Sequence, residues 1–215
     1  MRALFSVVAP RYDFITGAFS FGMDRRWKRE ALRQARLSPN SLVLDLACGT
    51  GDFSRLIGDR SKAIACDLTE SMLRVALAHG VRNVISADAM KLPFKDQCFD
   101  AVFVGYGMRN FPDLPSSVIE ILRVIRAGGC LVTLDFFLPQ NALPRRLFLS
   151  YLYLQGAFWG ALLHRNPRIY TYIPDSLRTF VSRNQFSEFL TGAGFHDVQS
   201  RSYLRGGIAV HTARV

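Results

Sequence analysis

Apolar and amphipathic stretches alternate along the chain between residues 24 and 137. Short runs that are apolar throughout are typical of buried strands, and stretches with apolar residues three or four positions apart are typical of helices that cover a sheet. Strands without a polar face must be covered on both sides, so the alternation indicates a parallel sheet between two layers of helices. The predicted strands are 41–47, 62–66, 83–87, 99–107 and 128–137, and the predicted helices are 24–36, 51–59, 69–79 and 115–126.

The pattern changes after residue 138, where a long apolar stretch covers 143–164. Beyond it we expect one more helix and two strands that form a hairpin through a glycine pair. The predicted fold class is therefore α/β, with a mostly parallel sheet, helices on both faces and an antiparallel C-terminal hairpin. The last helix is predicted at 184–193 and the hairpin strands at 196–203 and 207–213, joined through Gly206 and Gly207.

Composition and charge narrow the classes of function. The 215 residues are 49% hydrophobic, which predicts one globular domain, 1–215, with a sizeable core. The formal net charge is +10, but the basic residues are scattered and aromatic residues do not interleave with them. This distribution does not favour nucleic-acid binding. A solvated basic face and contact with an anionic membrane surface both remain open.

The cysteines and the N-terminus indicate a compartment. Cys48, Cys66, Cys98 and Cys130 lie far apart and form no CxxC motif, so reduced core thiols are favoured over a metal site or disulfides. The N-terminal stretch "MRALFSVVAPRYD" lacks the long apolar region and the cleavage site of a signal peptide. We therefore expect a cytoplasmic protein without a bound metal.

The stretch "LVLDLACGTGD" at 42–52 predicts a strand, a turn and the start of a helix, and Gly49 and Gly51 allow the backbone to approach a ligand beyond the strand. A dinucleotide motif would have a third glycine where Ser54 stands, and no Lys-Ser/Thr pair follows as in a phosphate-binding loop. Asp45 and Asp52 would also repel a pyrophosphate. A ligand with a positive end is favoured, and S-adenosylmethionine fits through its amino group and sulfonium.

Acidic residues also end the next two predicted strands. Asp67 follows "AIAC", where a carboxylate can accept hydrogen bonds from both hydroxyls of a ribose. Asp88 lies in "SADAM" and could accept from the amino group of adenine. A helix N-cap is the better explanation of any one of these acids alone. Acids at the ends of three successive strands favour the nucleoside.

Several motifs, taken in order, resemble the menaquinone/ubiquinone biosynthesis C-methyltransferases from residue 5 to 213. The resemblance implies a class I methyltransferase (Rossmann-like) fold with seven strands. It also implies C-methylation of a polyprenylated quinol by S-adenosylmethionine, with demethylmenaquinol ahead of a benzoquinol. An O- or N-methyltransferase of small molecules and a non-catalytic S-adenosylmethionine-binding protein remain as alternatives. The motifs are "YDFITGAFSFGMDRRWKRE", "VLDLACGTGD", "ADAMKLPFKDQCFDAV", "GYGMRNFPD", "RVIRAGGCLVTLDF", "YTYIPDSLRTF" and "GGIAVHTA".

The resemblance divides the domain into an N-terminal helical cap at 1–37, a cofactor-binding half at 38–137, an apolar lid or substrate segment at 138–182, and a C-terminal helix and hairpin at 183–215. The chain departs from the family at three positions: Gly105, Thr16 and Asp135 stand where the family usually has Ser, Asn and Glu. Family position places Thr50, Asp67, Asp88 and Ala89 at the cofactor. The full set of expected cofactor-binding residues is Asp45, Gly49, Thr50, Gly51, Asp67, Leu68, Met72, Asp88, Ala89 and Gly105.

A quinol carbon becomes nucleophilic when a ring hydroxyl loses its proton, so the site should stabilise an oxyanion or hold a base. We expect Arg109 to hold the phenolate and Asn110 to orient the ring. Tyr12 and Asp13 could take part in proton transfer or close the pocket. The alternatives are a surface ion pair for Arg109, a core aromatic for Tyr12 and a helix cap for Asp13. His164, His211 and Tyr172 are weaker candidates for the base.

The stretch at 145–165 has an uncharged part, 147–163, that is shorter than the ~20 residues needed to cross a bilayer. A core or lid helix is one interpretation. The other is an apolar entrance for an isoprenoid tail, with arginines that meet anionic head groups. The second interpretation predicts peripheral association with the inner face of the cell membrane. A second copy of the chain is a further candidate partner.

Overall fold

The computed structural model describes residues 2–58 and 61–215. Its centre is a seven-stranded sheet: β1 Leu42–Leu46, β2 Lys62–Asp67, β3 Val84–Ser86, β4 Phe99–Gly105, β5 Ile125–Phe136, β6 His196–Tyr203 and β7 Ile208–Arg214. The strands lie in the order β3-β2-β1-β4-β5-β7-β6. Strands β1 to β5 are parallel, while β7 runs antiparallel to both β5 and β6. The predicted sheet and its antiparallel C-terminal hairpin are confirmed.

Helices cover both faces of this sheet because alternate strand residues point in opposite directions. Val43, Phe103 and Val132 lie in one apolar cluster, and Leu44 and Val102 lie in the other. The first cluster includes residues of α2, α3 and α7, and the second includes residues of α6 and α9. The helices are α1 Arg2–Val8, α2 Tyr12–Phe19, α3 Asp24–Ala35, α4 Asp52–Ile57, α5 Glu70–Ala78, α6 Leu114–Val124, α7 Ala142–His164, α8 Tyr172–Thr179 and α9 Arg183–Gly192.

The predicted boundary between α6 and β5 is wrong by several residues. The helix ends at Val124, and β5 begins at Ile125, where the sequence pattern still predicts helix. The pairing register of β5 on β4 then shifts, so the predicted turn at 128 is an irregularity inside the strand. Gly129 is required there, since a Cβ atom would lie 2.6 Å from the Ile125 side chain and 2.9 Å from two carbonyl oxygens.

The segment after β5 contains two helices. The apolar stretch forms the single helix α7, and α8 follows it, although no helix was predicted at 172–179. Pro174 lies in the first turn of α8, where a missing N–H is tolerated, so this proline is not the helix-breaker that it resembles in the sequence. Across the parts of the chain described above, no helix has the combination of length and apolarity that a membrane crossing requires.

The ends of some other predicted elements also move. The two hairpin strands are joined by a short 3-10 helix at Leu204–Gly206. This helix includes Gly206 of the predicted glycine pair and ends one residue before Gly207. Leu204 and Arg205 adopt positive φ angles of 49° and 56°. The predicted helix at 51–59 is observed at Asp52–Ile57, and residue 59 lies outside the described residues.

Candidate active site

The turn between β1 and α4 is built from residues with positive φ. Ala47, Gly49 and Gly51 have φ values of 52°, 55° and 84°. The Gly49 amide donates to the Asp67 carboxylate at 2.9 Å, which joins the turn to the end of β2. A Cβ atom on Gly51 would lie 2.6 Å from Val81, so this glycine serves packing. Gly51 lines none of the three cavities described below, so its contact with a ligand stays a prediction.

Asp45 is buried beneath this turn. Its Oδ2 accepts hydrogen bonds from the amide and the hydroxyl of Ser54, at 2.9 Å and 2.7 Å. Burial raises the pKa of Asp45 to about 7, although both Ser54 bonds oppose the shift. The pKa of Asp45 is therefore close to neutral pH, so a nearby cation would favour its ionised form. Together with Thr50, Lys28 and Tyr106 it lines a small space that we call the loop cavity.

A larger cavity, the strand-end cavity, lies at the carboxyl ends of β1, β2 and β4. This is the edge where open α/β sheets bind ligands. Residues not predicted for the site also line it, among them Phe5 of α1, Tyr106 and Phe111. The predicted site residues that line it are Tyr12, Gly49, Asp67, Leu68, Met72, Asp88, Ala89, Gly105 and Asn110.

Hydrogen bonds fix both acids of the strand-end cavity. Asp67 accepts from the amides of Gly49 and Thr69, at 2.9 Å and 2.8 Å, and Asp88 accepts from the amide of Met90 at 2.9 Å. Burial raises the pKa of Asp67, and its backbone hydrogen bonds oppose the shift. The N-cap of α5 is Thr69, so Asp67 is not the helix cap that was its alternative explanation. Each carboxylate oxygen can still accept from a ligand hydroxyl.

Two further observations describe what the strand-end cavity can hold. The amide nitrogen of Asn110 donates to the Tyr106 carbonyl at 3.0 Å, while its Oδ1 is buried without a partner. A buried acceptor of this kind is suited to a donor group of a ligand. At Gly105, a Cβ atom would lie 2.9 Å from the ring of Phe53. Phe53 thus occupies the space of a serine side chain, and contact at position 105 is limited to the backbone.

A second space, the aromatic cavity, adjoins the first because Tyr12 and Tyr106 line both. Phe136 at the end of β5 and the predicted catalytic residue Arg109 also border it. Most of its lining is aromatic or aliphatic, so it favours an apolar group over a polar one. The remaining lining residues are Ile15, Thr16, Phe19, Tyr170, Tyr172 and Ile173.

Arg109 is the cation of the aromatic cavity. Its side chain is 3% exposed, forms an ion pair with the buried Asp135, and donates to the Tyr106 carbonyl at 3.0 Å. Its guanidinium carbon lies 5.1 Å from the centre of the Phe136 ring, and its Nε is buried without a partner. Burial lowers the pKa of Arg109, but the charge and hydrogen bond of Asp135, together with Tyr172 and Tyr12, more than reverse this shift, so the group stays cationic. Its burial excludes the alternative of a surface ion pair.

Tyr12 and Asp13 are neighbours with different environments. Burial raises the pKa of Tyr12 well above its usual value, so Tyr12 stays protonated and acts as a donor. The Asp13 carboxylate accepts from the Thr50 hydroxyl and lies 3.2 Å from Arg55, and it lines none of the three cavities. The structure does not support proton transfer by Asp13. Its carboxylate instead links α2 to the glycine turn through the Thr50 hydroxyl, and this contact lies outside the strand-end cavity.

The weaker candidates for the base differ in position. Tyr172 lines the aromatic cavity with Arg109, and burial raises its pKa. His211 lies on β7 between Phe137 and Phe186, and burial lowers its pKa to about 4. His164 lies at the end of α7, 2.9 Å from the Tyr170 hydroxyl. Neither histidine lines one of these cavities.

A buried charge network beside the loop cavity was missed in the sequence. Lys28 Nζ lies 2.6 Å from Asp24 and 2.5 Å from Asp52, and Asp24 also accepts from the Tyr106 hydroxyl at 2.7 Å. Burial lowers the pKa of Lys28, but the two carboxylates more than reverse this shift. The network joins α3 to α4 and to the end of β4. Its only signal in the sequence is the Asp24–Lys28 spacing of four within an amphipathic helix.

A family model described as the ubiE/COQ5 methyltransferase family matches residues 1–214. The chain belongs to the ubiE/COQ5 methyltransferase family.

Individual relatives of the family agree. The chain is 33% identical over 222 residues to the ubiquinone/menaquinone biosynthesis C-methyltransferase UbiE of Shewanella halifaxensis, covering 98% of this chain and 88% of that protein. The protein of the same name from Shewanella frigidimarina is 34% identical over 219 residues, covering 97% of this chain and 87% of that protein.

Among solved structures, an S-adenosylmethionine-dependent methyltransferase from Thermotoga maritima superposes with a TM-score of 0.69 at 19% identity. That match covers 100% of this chain and 99% of the other. A methyltransferase from Aquifex aeolicus gives 0.62 at 18% identity, covering 87% of this chain and 89% of the other. These similarities support the fold alone, which is that of a class I methyltransferase.

As a member of the ubiE/COQ5 family, the chain is an enzyme, a methyltransferase of the type that acts in quinone biosynthesis. The family implies S-adenosylmethionine as the methyl donor. The strand-end cavity fits this donor, since it offers two carboxylates and the unpartnered Oδ1 of Asn110 to the hydroxyls and amino groups of a nucleoside.

Proposed function

We propose that the enzyme methylates a ring carbon of a polyprenylated naphthoquinol, converting demethylmenaquinol to menaquinol with S-adenosylmethionine. One observation carries the proposal: Arg109 is a buried cation with a free donor in an apolar cavity that shares two side chains with the strand-end cavity. A ring placed there would have a charged group for its oxygen and a neighbouring site for the methyl donor.

The donor and the protein have separate tasks. S-adenosylmethionine, when bound, supplies a methyl group made electrophilic by the sulfonium. Asp67, Asp88 and Asn110 would hold its nucleoside, and Asp45 and Gly49 its amino acid end. We infer that these residues bind and orient the donor, while the aromatic cavity keeps water from the reacting carbon.

Arg109 is the residue that would make the ring reactive. A guanidinium beside a ring hydroxyl lowers the pKa of that hydroxyl, and the resulting phenolate directs electron density to the ring carbons. Tyr12 and Tyr172 are poor bases because burial raises the pKa of each. Both would act as hydrogen-bond donors to the oxyanion. The hydroxyl proton would leave to solvent, and after methylation the proton on the ring carbon would return to the oxygen, which restores the aromatic quinol and releases one proton in all.

The lining of the aromatic cavity supports a naphthoquinol over a benzoquinol. Tyr106 and Phe136 lie with their ring centres 5.1 Å apart, and such surfaces favour contact with a second fused ring. The hydroxyl of Thr16 is already committed, since it donates to the Tyr12 carbonyl at 3.0 Å. Thr16 therefore offers no free proton to the ring substituents of a benzoquinol.

The test compares reduced demethylmenaquinone with a demethoxy benzoquinol, using the purified enzyme, S-adenosylmethionine and mass spectrometry of the product. We expect faster turnover of the naphthoquinol and a methyl group on carbon. A hydrolysable methyl ether would identify an O-methyltransferase and refute the proposal. Donor binding without turnover of either quinol would refute it as well.

The role of Arg109 is tested by Arg109→Ala, with Arg33→Ala as the control because the Arg33 side chain is 70% exposed. We expect Arg109→Ala to keep its affinity for S-adenosylmethionine and to lose about 100-fold or more in turnover, as when an oxyanion donor is removed. Arg33→Ala should retain both properties. Unchanged turnover in Arg109→Ala would exclude the assigned role.

A further inference from the structure

One side of α7 is apolar and faces outward. Leu143, Leu147, Leu154, Phe158 and Leu162 are each more than half exposed, with Leu154 at 72%. Their spacings of four, seven, four and four residues place them on one side of the helix. We call this surface, together with Phe14 of α2 and Phe21 in the turn after α2, the α7 face. A contiguous apolar surface of this kind marks an interaction site.

The α7 face is not a gap in the packing of the core. The opposite side of the helix, at Phe148, Leu152, Gly156 and Gly160, is buried. The fit there is close, since a Cβ atom on Gly160 would lie 2.5 Å from the Asn166 carbonyl oxygen. The helix is therefore fixed to the protein by one side and presents the other side as a rigid surface.

Helix α2 continues this surface and separates it from the aromatic cavity. The Phe14 ring lies 5.0 Å from Trp159, and the Phe21 ring stacks 4.9 Å from Tyr151 of α7. On its other side, α2 contributes Ile15 and Phe19 to the lining of the aromatic cavity. The apolar surface and the cavity are thus one helix apart.

The charges around α7 identify the kind of partner. From 136 to 174 the sequence contains no Asp or Glu. Arg145 and Arg146 are exposed near the start of α7, and Arg165 and Arg168 are exposed just beyond its end. A helix of 23 residues is about 35 Å long, so two basic groups border an apolar strip of this length. This combination is typical of helices that lie in the plane of an anionic membrane.

A second copy of the chain fits this surface less well. Both ends of α7 are basic, so a parallel or an antiparallel pairing of two α7 helices would bring arginines next to arginines. Like charges at an interface oppose association. Anionic lipid satisfies the apolar strip and both basic ends together.

We propose that the α7 face docks flat on an anionic membrane, with its apolar side chains below the head groups and Arg146, Arg165 and Arg168 at the level of the phosphates. Arg145 instead donates to the carbonyls of Pro139 and Gln140. Docking itself does not depend on the proposed substrate. If the substrate is the polyprenylated quinol of the proposed function, this orientation would bring its tail to the aromatic cavity alongside α2.

The test is sedimentation of the full chain with vesicles of phosphatidylcholine, with and without phosphatidylglycerol, and without any quinol. Two double variants are compared: Leu154→Glu/Phe158→Glu on the α7 face, and Leu77→Glu/Ile119→Glu, exposed apolar residues on α5 and α6. We expect the first to lose about tenfold or more in partitioning to anionic vesicles, and the second to stay within about twofold of the parent chain.

The charge contribution is tested by Arg165→Gln/Arg168→Gln, which should also lower partitioning by about tenfold or more, as should high salt. Equal binding to neutral and anionic vesicles would overturn the electrostatic part. Unchanged binding of the Leu154→Glu/Phe158→Glu variant, or dimers in solution that this variant abolishes, would overturn the docking surface.

Tryptophan fluorescence gives a second measurement that does not require variants with charged substitutions. Trp159 contacts Phe14 and Phe158 at the α7 face, whereas Trp27, on α3, is buried in the core. Brominated lipids should quench the parent chain and fail to quench Trp159→Phe. Equal quenching of both chains, or quenching of neither, would contradict the proposed orientation. Since no substrate is present, failure here is distinguishable from failure of the proposed reaction.

Discussion

Replacing Asp135 with asparagine removes the anion beside Arg109 with little change in side-chain size. The two side chains are 1% and 3% exposed, so the guanidinium would remain charged, buried and unpaired. Removing one partner of a buried ion pair costs about 3–5 kcal/mol. The total stability of a domain is about 5–15 kcal/mol. At about 2–4 °C per kcal/mol for a chain of this size, Asp135→Asn should lower the melting temperature by about 6–20 °C.

The assay is a double-mutant cycle by urea unfolding with Asp135→Asn, Arg109→Met and the double variant. The double variant has no unpaired charge, so we expect it to recover most of the lost stability. Glu70→Gln is the control, because Glu70 pairs with Arg74 on the surface and should lose less than about 1 kcal/mol. Turnover separates the two roles, since the double variant should be stable but inactive.

The pH dependence sharpens the test. Burial raises the pKa of Asp135, and Arg109 opposes the shift. The folded protein therefore binds this proton more readily than the unfolded chain, so the parent chain loses stability as the pH rises from about 4 through the folded pKa. The penalty of Asp135→Asn, which lacks this proton, should then be smaller at pH 8 than at pH 5. Unfolding at the same urea concentration as the parent chain at both pH values would refute the reasoning.

Three other substitutions test features of the fold and the site. The pKa of Asp45 is about 7 in the folded chain, so the free energy of unfolding falls as the pH rises from about 4 through 7. Asp45→Asn should therefore raise the free energy of unfolding by up to about 4 kcal/mol at pH 8. At pH 4 it should change little. An equal effect in urea titrations at both pH values would contradict this. Lys28→Met should lower the free energy of unfolding by about 3 kcal/mol, measured by thermal unfolding, because it leaves Asp24 buried without its cation. The double variant Lys28→Met/Asp24→Asn should recover part of this loss. No recovery would exclude charge as the cause. Gly160→Ala should destabilise the chain by about 1–3 kcal/mol in urea unfolding, because the new Cβ atom would lie against the Asn166 carbonyl oxygen. The control is Gly17→Ala on α2, which has nothing within 4 Å of its Cβ position and should be neutral or stabilising. Equal effects of the two variants would remove the steric explanation.

The sheet could be predicted from the sequence because buried parallel strands are continuous apolar runs. The position of Asp67 and Asp88 followed from the same pattern, since the carboxyl ends of parallel strands meet at one edge. The helix α8 could not be predicted in this way. Its apolar residues are few, and the proline in its first turn suggests a break.

Contacts between distant segments account for the other misses. Asp135 ends β5 and Arg109 follows β4, so their pairing depends on the neighbouring positions of those strands. Tyr106 gave no chemical signal in the sequence, although it borders all three cavities. The carboxylate of Asp13 faces away from the cavity that its neighbour Tyr12 lines, and no pattern of residue types distinguishes the two sides of so short a helix.

The backbone at Tyr106 has a consequence for enzyme engineering. Its φ is 58°, and its carbonyl oxygen accepts hydrogen bonds at 3.0 Å from both Arg109 and Asn110. One carbonyl thus sets two side chains that border different cavities, so changes at this position would alter donor binding and ring activation together. Ile15 and Ile173 lie on helices outside the sheet and make no such link. Libraries aimed at new ring substrates should therefore vary those helices and leave the end of β4 unchanged.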